Sequence, residues 1–292
     1  MSAQPDRVTV VIATRNRRPE LLRTLGRLRG LPERPPVIVV DNASADDSPA
    51  AVRDRFPAVT LRVLPRNAGA AARNVGVALA ATPYVAFSDD DSWWEPGALA
   101  RAATALDADS RLGLVAARTL TGPAREPDPV NELMARSPLR DGGTAEVLGF
   151  LACACVVRKE AFLRAGGFSQ VLFFIGEERL LSYDLATAGW ARRYHPDVVA
   201  VHEPSAARPG SHLRRQAERR NLVLTAWMRR PAPVALAETL RLARDAAGDP
   251  DDRAALAAAA RKLPAALRSR RKLPPAIERK VQALAAAQGG LW

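Results

Sequence analysis

Four short apolar runs, each separated from the next by a helical stretch, restrict this chain to few folds. Val8-Thr9-Val10-Val11-Ile12-Ala13 is the first, and Val37-Ile38-Val39-Val40 is the second, ending at Asp41. Val59–Leu64 and Tyr84–Phe87 are the third and fourth. Their β-branched and apolar content reads as buried strand. Leu21, Leu22, Leu25 and Leu28 lie at helical spacing between the first two, until Pro32, Pro35 and Pro36 break the pattern. Ala50–Phe56 and the Ala-rich stretch Ala70–Ala81, stopped by Thr82-Pro83, read as the next helices. Strands alternating with helices over short links imply an α/β architecture with a mostly parallel, Rossmann-like sheet flanked by helices.

In such sheets ligands bind beyond the carboxyl ends of the strands. Polar groups follow all four runs: Thr14-Arg15-Asn16, Asp41-Asn42, Asn67-Ala68-Gly69 and Asp89-Asp90-Asp91. The last group carries the most chemistry. Adjacent carboxylates cost free energy unless a cation or hydrogen-bond donors compensate. In extended chain, residues two apart share a face. Asp89 and Asp91 are thus expected to point together, as a divalent ion bound to a phosphorylated ligand requires. The structural alternative is an Asp-rich turn after a strand.

Further along, Gly97–Leu106 reads as a helix and Leu112–Ala117 as a strand, while Thr121–Gly143, rich in Pro, Gly and charge, reads as a loop able to order over a ligand. Phe150–Val157 is strand-like, Lys159–Ala165 is a short helix ended by Gly166-Gly167, and Gly176-Glu177-Glu178 opens a helix to about Ala188. Arg192–Val201 forms a last strand leading to His202. From about His212 the chain turns Ala-, Leu- and Arg-rich and helical, with breaks expected at Pro231, Pro233, Pro250, Pro264, Pro274 and Pro275.

Taken together, these pieces resemble the inverting, nucleotide-sugar-dependent glycosyltransferases of family 2, which have the GT-A fold. The resemblance runs from Val8 to about Pro204. It rests on Val10–Arg17, Val39–Ser44, Arg66–Gly69 with Ala72–Gly76, Phe87–Asp91, Ala165–Phe168, Gly176–Glu178, Ala188–Trp190 and Val201-His202, in that order. It implies a catalytic domain over residues 1–204 and a helical, Arg-rich extension over 205–292. Thr14 and Arg15, with Asn16, Asn67, Gly69 and Asp90, would line the nucleotide-sugar pocket. Asp41 would accept from the N–H of a uracil or thymine ring, so the donor is expected to be a UDP- or dTDP-sugar. Arg73 would lie near the base or pyrophosphate, and Asp89 near the ribose. Asp91, with Asp89 and His202, would hold Mn²⁺ or Mg²⁺; the imidazole favours Mn²⁺. Glu178 stands where the family places its catalytic base, usually Asp, with Glu177 as the neighbouring alternative. Leu180 and Asp184 depart from residues common in the family and suggest an unusual acceptor, whether glycan, lipid-linked sugar or natural product. Trp93, Trp94 and Trp190 are either sugar-stacking rings or core.

Charge adds a second theme. The net charge is +12, and the segment Ser205–Trp292 holds 18 Lys and Arg against 7 Asp and Glu. Arg214-Arg215, Arg219-Arg220, Arg229-Arg230 and Arg268–Lys272, near Trp227, Leu222 and Leu224, suit an anionic membrane surface, a homodimer contact or a solvated helix face. A nearly neutral core argues against a nucleic-acid partner. Cys153 and Cys155, alternating along a strand, are expected to be unpaired in a reduced, cytoplasmic setting, with metal ligation by them disfavoured. Met1–Arg7 lacks the apolar core of a signal peptide, and Val147–Val157, the longest apolar run, is too short for a membrane span of ~20 residues. Thr14-Arg15-Asn16-Arg17 lacks the Gly-rich loop and Lys of a sugar-phosphate nucleotidyltransferase. The competing reading is a nucleotide-sugar-binding protein without catalysis, or a protein that binds anionic surfaces through its tail.

Overall fold

The computed structural model describes residues 7–205 and 210–287. Met1–Asp6 and the ends of the 205–292 tail segment read above, 206–209 and 288–292, lie outside the described residues. The first half is β1 (Val8–Thr14), α1 (Arg18–Arg29), β2 (Val37–Asp41), α2 (Ser48–Arg55), β3 (Thr60–Val63), α3 (Ala72–Leu79), β4 (Tyr84–Ser88), β5 (Ser92–Trp94) and α4 (Ala98–Ala108). Then come β6 (Leu112–Thr121), β7 (Glu126–Pro127), α5 (Pro129–Ala135), β8 (Arg140–Asp141), β9 (Thr144–Ala145), β10 (Cys155–Arg158), α6 (Lys159–Ala165), α7 (Glu177–Thr187) and β11 (Ala191–His202). Four helices follow: α8 (Ser211–Arg229), α9 (Ala232–Asp245), α10 (Pro250–Arg268) and α11 (Pro275–Ala287).

The main sheet has the order β3-β2-β1-β4-β10-β6-β11-β5, with β7 paired to β6. The β3-β2-β1-β4 half is parallel, as the alternation implied. β10 runs antiparallel to both β4 and β6, and β5 antiparallel to β11, so the sheet as a whole is mixed. Both faces are covered, which explains why the strands read as continuous apolar runs. In β1, Val8, Val10 and Ile12 pack with Leu21, Leu25 and Leu28 of α1 and Leu99 and Leu106 of α4. Val11 points the other way, into a core with Val77 of α3, Phe162 of α6 and Leu185 of α7. Each such side chain contributes about 1.5–3 kcal/mol when fully buried.

Two close approaches set α3 beneath the sheet. A Cβ on Gly76 would lie 2.4 Å from Val11 Cγ1, so only glycine lets the helix come this near. Asn74 then ties the helix to the turn after α6, its Oδ1 accepting from Phe168 N and its Nδ2 donating to Phe168 O, both at 2.9 Å. Phe168 completes a ring cluster with Phe87 and Phe162, with centroids 5.4–5.5 Å apart.

Three expectations need correction. Cys153 and Cys155 do not alternate on a strand: Ala152–Ala154 is a 3₁₀ turn and β10 begins only at Cys155; both thiols are free. The stretch Thr121–Gly143 contains α5, whose start Asp128 caps by accepting from Val130 N at 2.9 Å. Pro264 lies inside α10 rather than ending it. Burial of Ala259 against Val223 and Leu242 before the proline, and of Ala266 against Leu224 and Met228 after it, holds the helix through the missing N–H.

The appended helices dock through α7. Leu180 joins Leu172, Leu224, Met228 and Ala266 in one apolar cluster. Asp184 accepts a forked pair from Arg229, Nε at 2.5 Å and Nη2 at 2.9 Å, and lies 3.4 Å from Arg271. The two family departures are thus explained by helix docking, and neither lines the cleft described next.

Candidate active site

A cleft of about 810 Å³ opens over the carboxyl ends of β1, β2 and β4. Thr14, Arg15, Asn16, Asn67, Gly69, Arg73, Asp89, Asp90, Asp91, Glu177, Glu178 and His202, twelve of the thirteen expected site residues, line it. The exception is Asp41, which is fully buried beneath the floor. Its Oδ1 accepts from Ser44 N at 2.9 Å, and its Oδ2 has no hydrogen-bond partner within the protein. Asn42 takes its place at the surface of the cleft, bracing the β3–α3 link by accepting from Ala68 N and donating to Gly69 O. Gly69 must be glycine: its φ is +61°, and a Cβ there would lie 2.1 Å from Phe173 O.

The acidic run sits in the turn between β4 and β5 rather than in extended chain. Asp89 pairs with the buried Arg73, which packs over the Phe168 ring at 5.8 Å. Asp90 accepts from Thr14 Oγ1 at 2.9 Å; burial, together with the charges of Asp89 and Asp91, pushes its carboxyl up to about 7. Asp91 Oδ2 accepts from Ser205 N at 3.1 Å. His202 comes from far along the chain, and the pairing of β11 with β5 explains how it arrives. That register sets His202 opposite Ser92, one residue from Asp91, and leaves its Nε2 3.3 Å from Asp91 Oδ1.

A cation would find a donor set here. One atom each of Asp89, Cys153 and His202 lie within 4.8 Å of one another, with Asp91 beside the histidine. Carboxylate oxygens and an imidazole suit Mn²⁺ or Mg²⁺. Arg17 stands 4.0 Å from Asp91.

Glu177 and Glu178 enter the cleft from the first turn of α7. A helix start favours an ionised carboxylate, but burial prevails and raises both carboxyls above their usual range, with mutual repulsion adding to the rise at Glu177. The loop before α7 is strained: Phe173 and Ile175 both have φ near +70°. Asn221 of α8 holds it in that shape, its Nδ2 donating to the carbonyls of Leu172, Phe174 and Ile175 at 3.1, 2.8 and 2.5 Å. Arg220 Nε fixes the amide by donating to Asn221 Oδ1 at 2.9 Å.

Sequence reasoning missed this wall of the cleft. Phe150, Phe173 and Phe174 line it, as do Cys153, Arg179 and, from α8, Arg214, Glu218, Asn221, Leu222 and Thr225. The sequence marks Arg214 and Leu222 only as part of a basic tail face, and nothing in the spacing of the α8 residues points back to the sheet. The tryptophans are core or flank instead: Trp93 and Trp94 are buried, and none of Trp93, Trp94 and Trp190 lines the cleft. Many tail arginines are engaged by the protein itself. Arg215 meets Asp249 and Asp251, Arg219 meets Asp245 and Asp252, and Arg230 meets Glu278. Among the described residues no helix is long and apolar enough to cross a membrane.

Comparison with known proteins agrees with this geometry. The profile described as Glycosyl transferase family 2 matches residues 9–168. A pre-mycofactocin glycosyltransferase of Mycobacterium tuberculosis is 34% identical over 212 residues, covering 67% of this chain and 42% of that protein. The chain therefore spans less than half the length of that relative. An N-acetylglucosaminyl-diphospho-decaprenol L-rhamnosyltransferase of the same species is 31% identical over 255 residues, covering 71% of this chain and 80% of that one. The mannosyltransferase PcManGT from Pyrobaculum calidifontis, solved with GDP-Man and Mn²⁺, matches with a TM-score of 0.58 and 25% identity over 99% of this chain and 79% of its own. S. aureus TarS, solved with UDP-GlcNAc, shares the fold with a TM-score of 0.57 at 17% identity, over 75% of this chain and 66% of its own. With a family profile over more than half its length, these relatives and a GT-A sheet carrying its polar residues into one cleft, the chain belongs to glycosyl transferase family 2.

Proposed function

We propose that this enzyme moves a sugar from a UDP- or dTDP-sugar to an acceptor hydroxyl, with inversion at the anomeric carbon and with a divalent cation, Mn²⁺ or Mg²⁺, at Asp91, Asp89 and His202. One observation carries the reading: the Asp89–Asp91 turn with His202, and the Glu177-Glu178 pair, face the same cleft from different walls. When bound, the cation stabilises the negative charge that grows on the leaving diphosphate. Arg73 holds Asp89 in place by its ion pair. Asp41, buried beneath the cleft floor with one oxygen lacking a protein partner, would accept a pyrimidine N–H once the floor shifts to admit the base. Glu178, only partly buried and facing the cleft, takes the proton of the attacking hydroxyl, and Glu177, more deeply buried, acts on its charge state. The acceptor enters past the half-exposed rings of Phe173 and Phe174. Residues 1–204 form the catalytic domain in this reading, and 205–292 an extension whose first helix completes the cleft.

The test is calorimetric titration of UDP, dTDP and GDP with and without Mn²⁺. Binding of one pyrimidine diphosphate that requires Mn²⁺ and is lost in Asp91→Ala supports the proposal. Tight binding of GDP alone would reassign the base pocket. No binding of any diphosphate, in either condition, refutes the nucleotide site and favours a scaffold acting through its tail.

A further inference from the structure

The donor set described above contains one residue that the proposed sugar transfer does not use. Cys153 lies in the 3₁₀ turn Ala152–Ala154, is 5% exposed and lines the cleft. Its neighbour Cys155 points elsewhere and donates to Ala152 O at 3.6 Å. Cys153 has no such partner among the described residues, and its Sγ lies within 4.8 Å of ligand atoms of both Asp89 and His202. Three donor atoms this close, from three separate parts of the chain, are near enough to share one ion. The turn is held there by its surroundings: Ala154 N donates to Leu151 O at 3.0 Å, and Cys155 pairs with Phe87 of β4 and Ala116 of β6.

Oxygen and imidazole alone make a site for hard or borderline cations, whereas a sulfur donor shifts preference towards thiophilic ones. We propose that Cys153 is a ligand of this centre and makes it a binding site for thiophilic divalent cations, Zn²⁺ and Cd²⁺, through Asp89, Cys153 and His202. The inference rests on the proposed divalent centre. On binding, the Sγ–H bond breaks, the sulfur forms a bond to the cation, and the proton leaves to solvent; no oxidant or reductant is involved. A hard ion such as Mg²⁺ leaves the thiol protonated and out of its shell. Asp89 and His202, which with Asp91 would hold the hard ion for the diphosphate, thus join Cys153 in a separate, sulfur-bearing mode for a softer one.

The experiment titrates Co²⁺, Cd²⁺ and Mn²⁺ separately into the full chain, into Cys153→Ser and into Cys155→Ser, with circular dichroism confirming the fold. Cys153→Ala is the second variant should the serine form not fold. Expected are a near-ultraviolet cobalt–thiolate charge-transfer band and visible ligand-field bands in the wild type and in Cys155→Ser. Cys153→Ser keeps the ligand-field bands and loses the charge-transfer band. Its Cd²⁺ affinity falls by at least the about 10–100-fold that loss of an outer-shell partner causes, with Mn²⁺ affinity retained, and Cd²⁺ binding releases one proton fewer. Ligand-field bands without a charge-transfer band in the wild type overturn the role of Cys153 and leave the divalent centre standing. Absence of any cobalt or Mn²⁺ binding overturns the centre and this inference together. Diphosphate binding that persists in chelator would then show a nucleotide site that stands without the centre.

Discussion

Replacing Asn221 with Ala separates positioning from stability in an unusual way. The amide holds the carbonyls of Phe174 and Ile175 in a loop whose Phe173 and Ile175 both sit near φ +70°. Loss of a donor to a buried carbonyl costs about 1–3 kcal/mol. Each left-handed non-glycine residue stores of order 1–3 kcal/mol, and more is expected at β-branched Ile175. Once the clamp is gone the loop is free to relax, so the two terms nearly cancel and the melting temperature shifts little. The position of Glu178, three residues beyond Ile175, does not survive the relaxation. A displacement of ~1 Å at a reacting group costs on the order of 10²-fold in rate. We therefore expect kcat to fall about 100-fold while diphosphate affinity, which in the proposed reading is set mainly on the Asp89–Asp91 side, changes far less. Steady-state kinetics with calorimetry and a thermal melt read all three quantities. Ile175→Gly, which keeps the clamp and removes the strain at that residue, is expected to retain kcat. An unchanged kcat in Asn221→Ala, or a loss that follows the fraction unfolded, would refute the reasoning.

Other expectations follow from the same geometry. Burial raises the Glu178 carboxyl; with Glu178 as the proposed base, its ionised form is lost as pH falls through that raised value, and the acid limb of the kcat profile should lie above the ordinary carboxyl range and vanish in Glu178→Gln, with kcat down about 10²–10⁴-fold; an acid limb near the ordinary value would contradict it. Glu177 is raised for the same reason, so its penalty on stability is absent below the ordinary value of 4.5, where both folded and unfolded chains hold the proton, and grows as pH rises through the folded value. Glu177→Gln should accordingly raise the melting temperature near neutral pH and not in acid; a gain of equal size in acid speaks against burial as the cause. Gly76→Ala forces α3 off β1 and should destabilise by about 1–3 kcal/mol in urea unfolding. Arg229→Ala leaves Asp184 buried with only the more distant Arg271 beside it, and should lose about 3–5 kcal/mol; a loss below that of an exposed pair would show that the appended helices do not depend on this contact.

The sequence carried most of the sheet and one side of the site, because those features are local. Runs such as Val8–Ala13 and Val37–Val40 declare buried strands by composition, and Asp89–Asp91 or Asn67–Gly69 declare polar strand ends by position. It was right about the short helix Lys159–Ala165 to the residue for the same reason, since Gly166 ends it with φ +95°. It was wrong about the extended geometry of Asp89–Asp91, where a turn into the three-residue β5 was too short to leave a periodic signal. His202 was legible as a candidate through family resemblance, but its 3.3 Å approach to Asp91 depends on the β5–β11 register. The wall made by Asn221, Arg214 and Cys153 was not legible at all. Those residues reach the cleft because Leu180 and Asp184 dock α8 on α7, and because a 3₁₀ turn delays β10. Contacts between segments 46 to 49 positions apart in sequence, such as Asn221 with Leu172, Phe174 and Ile175, are decided by packing and leave no trace in either segment alone.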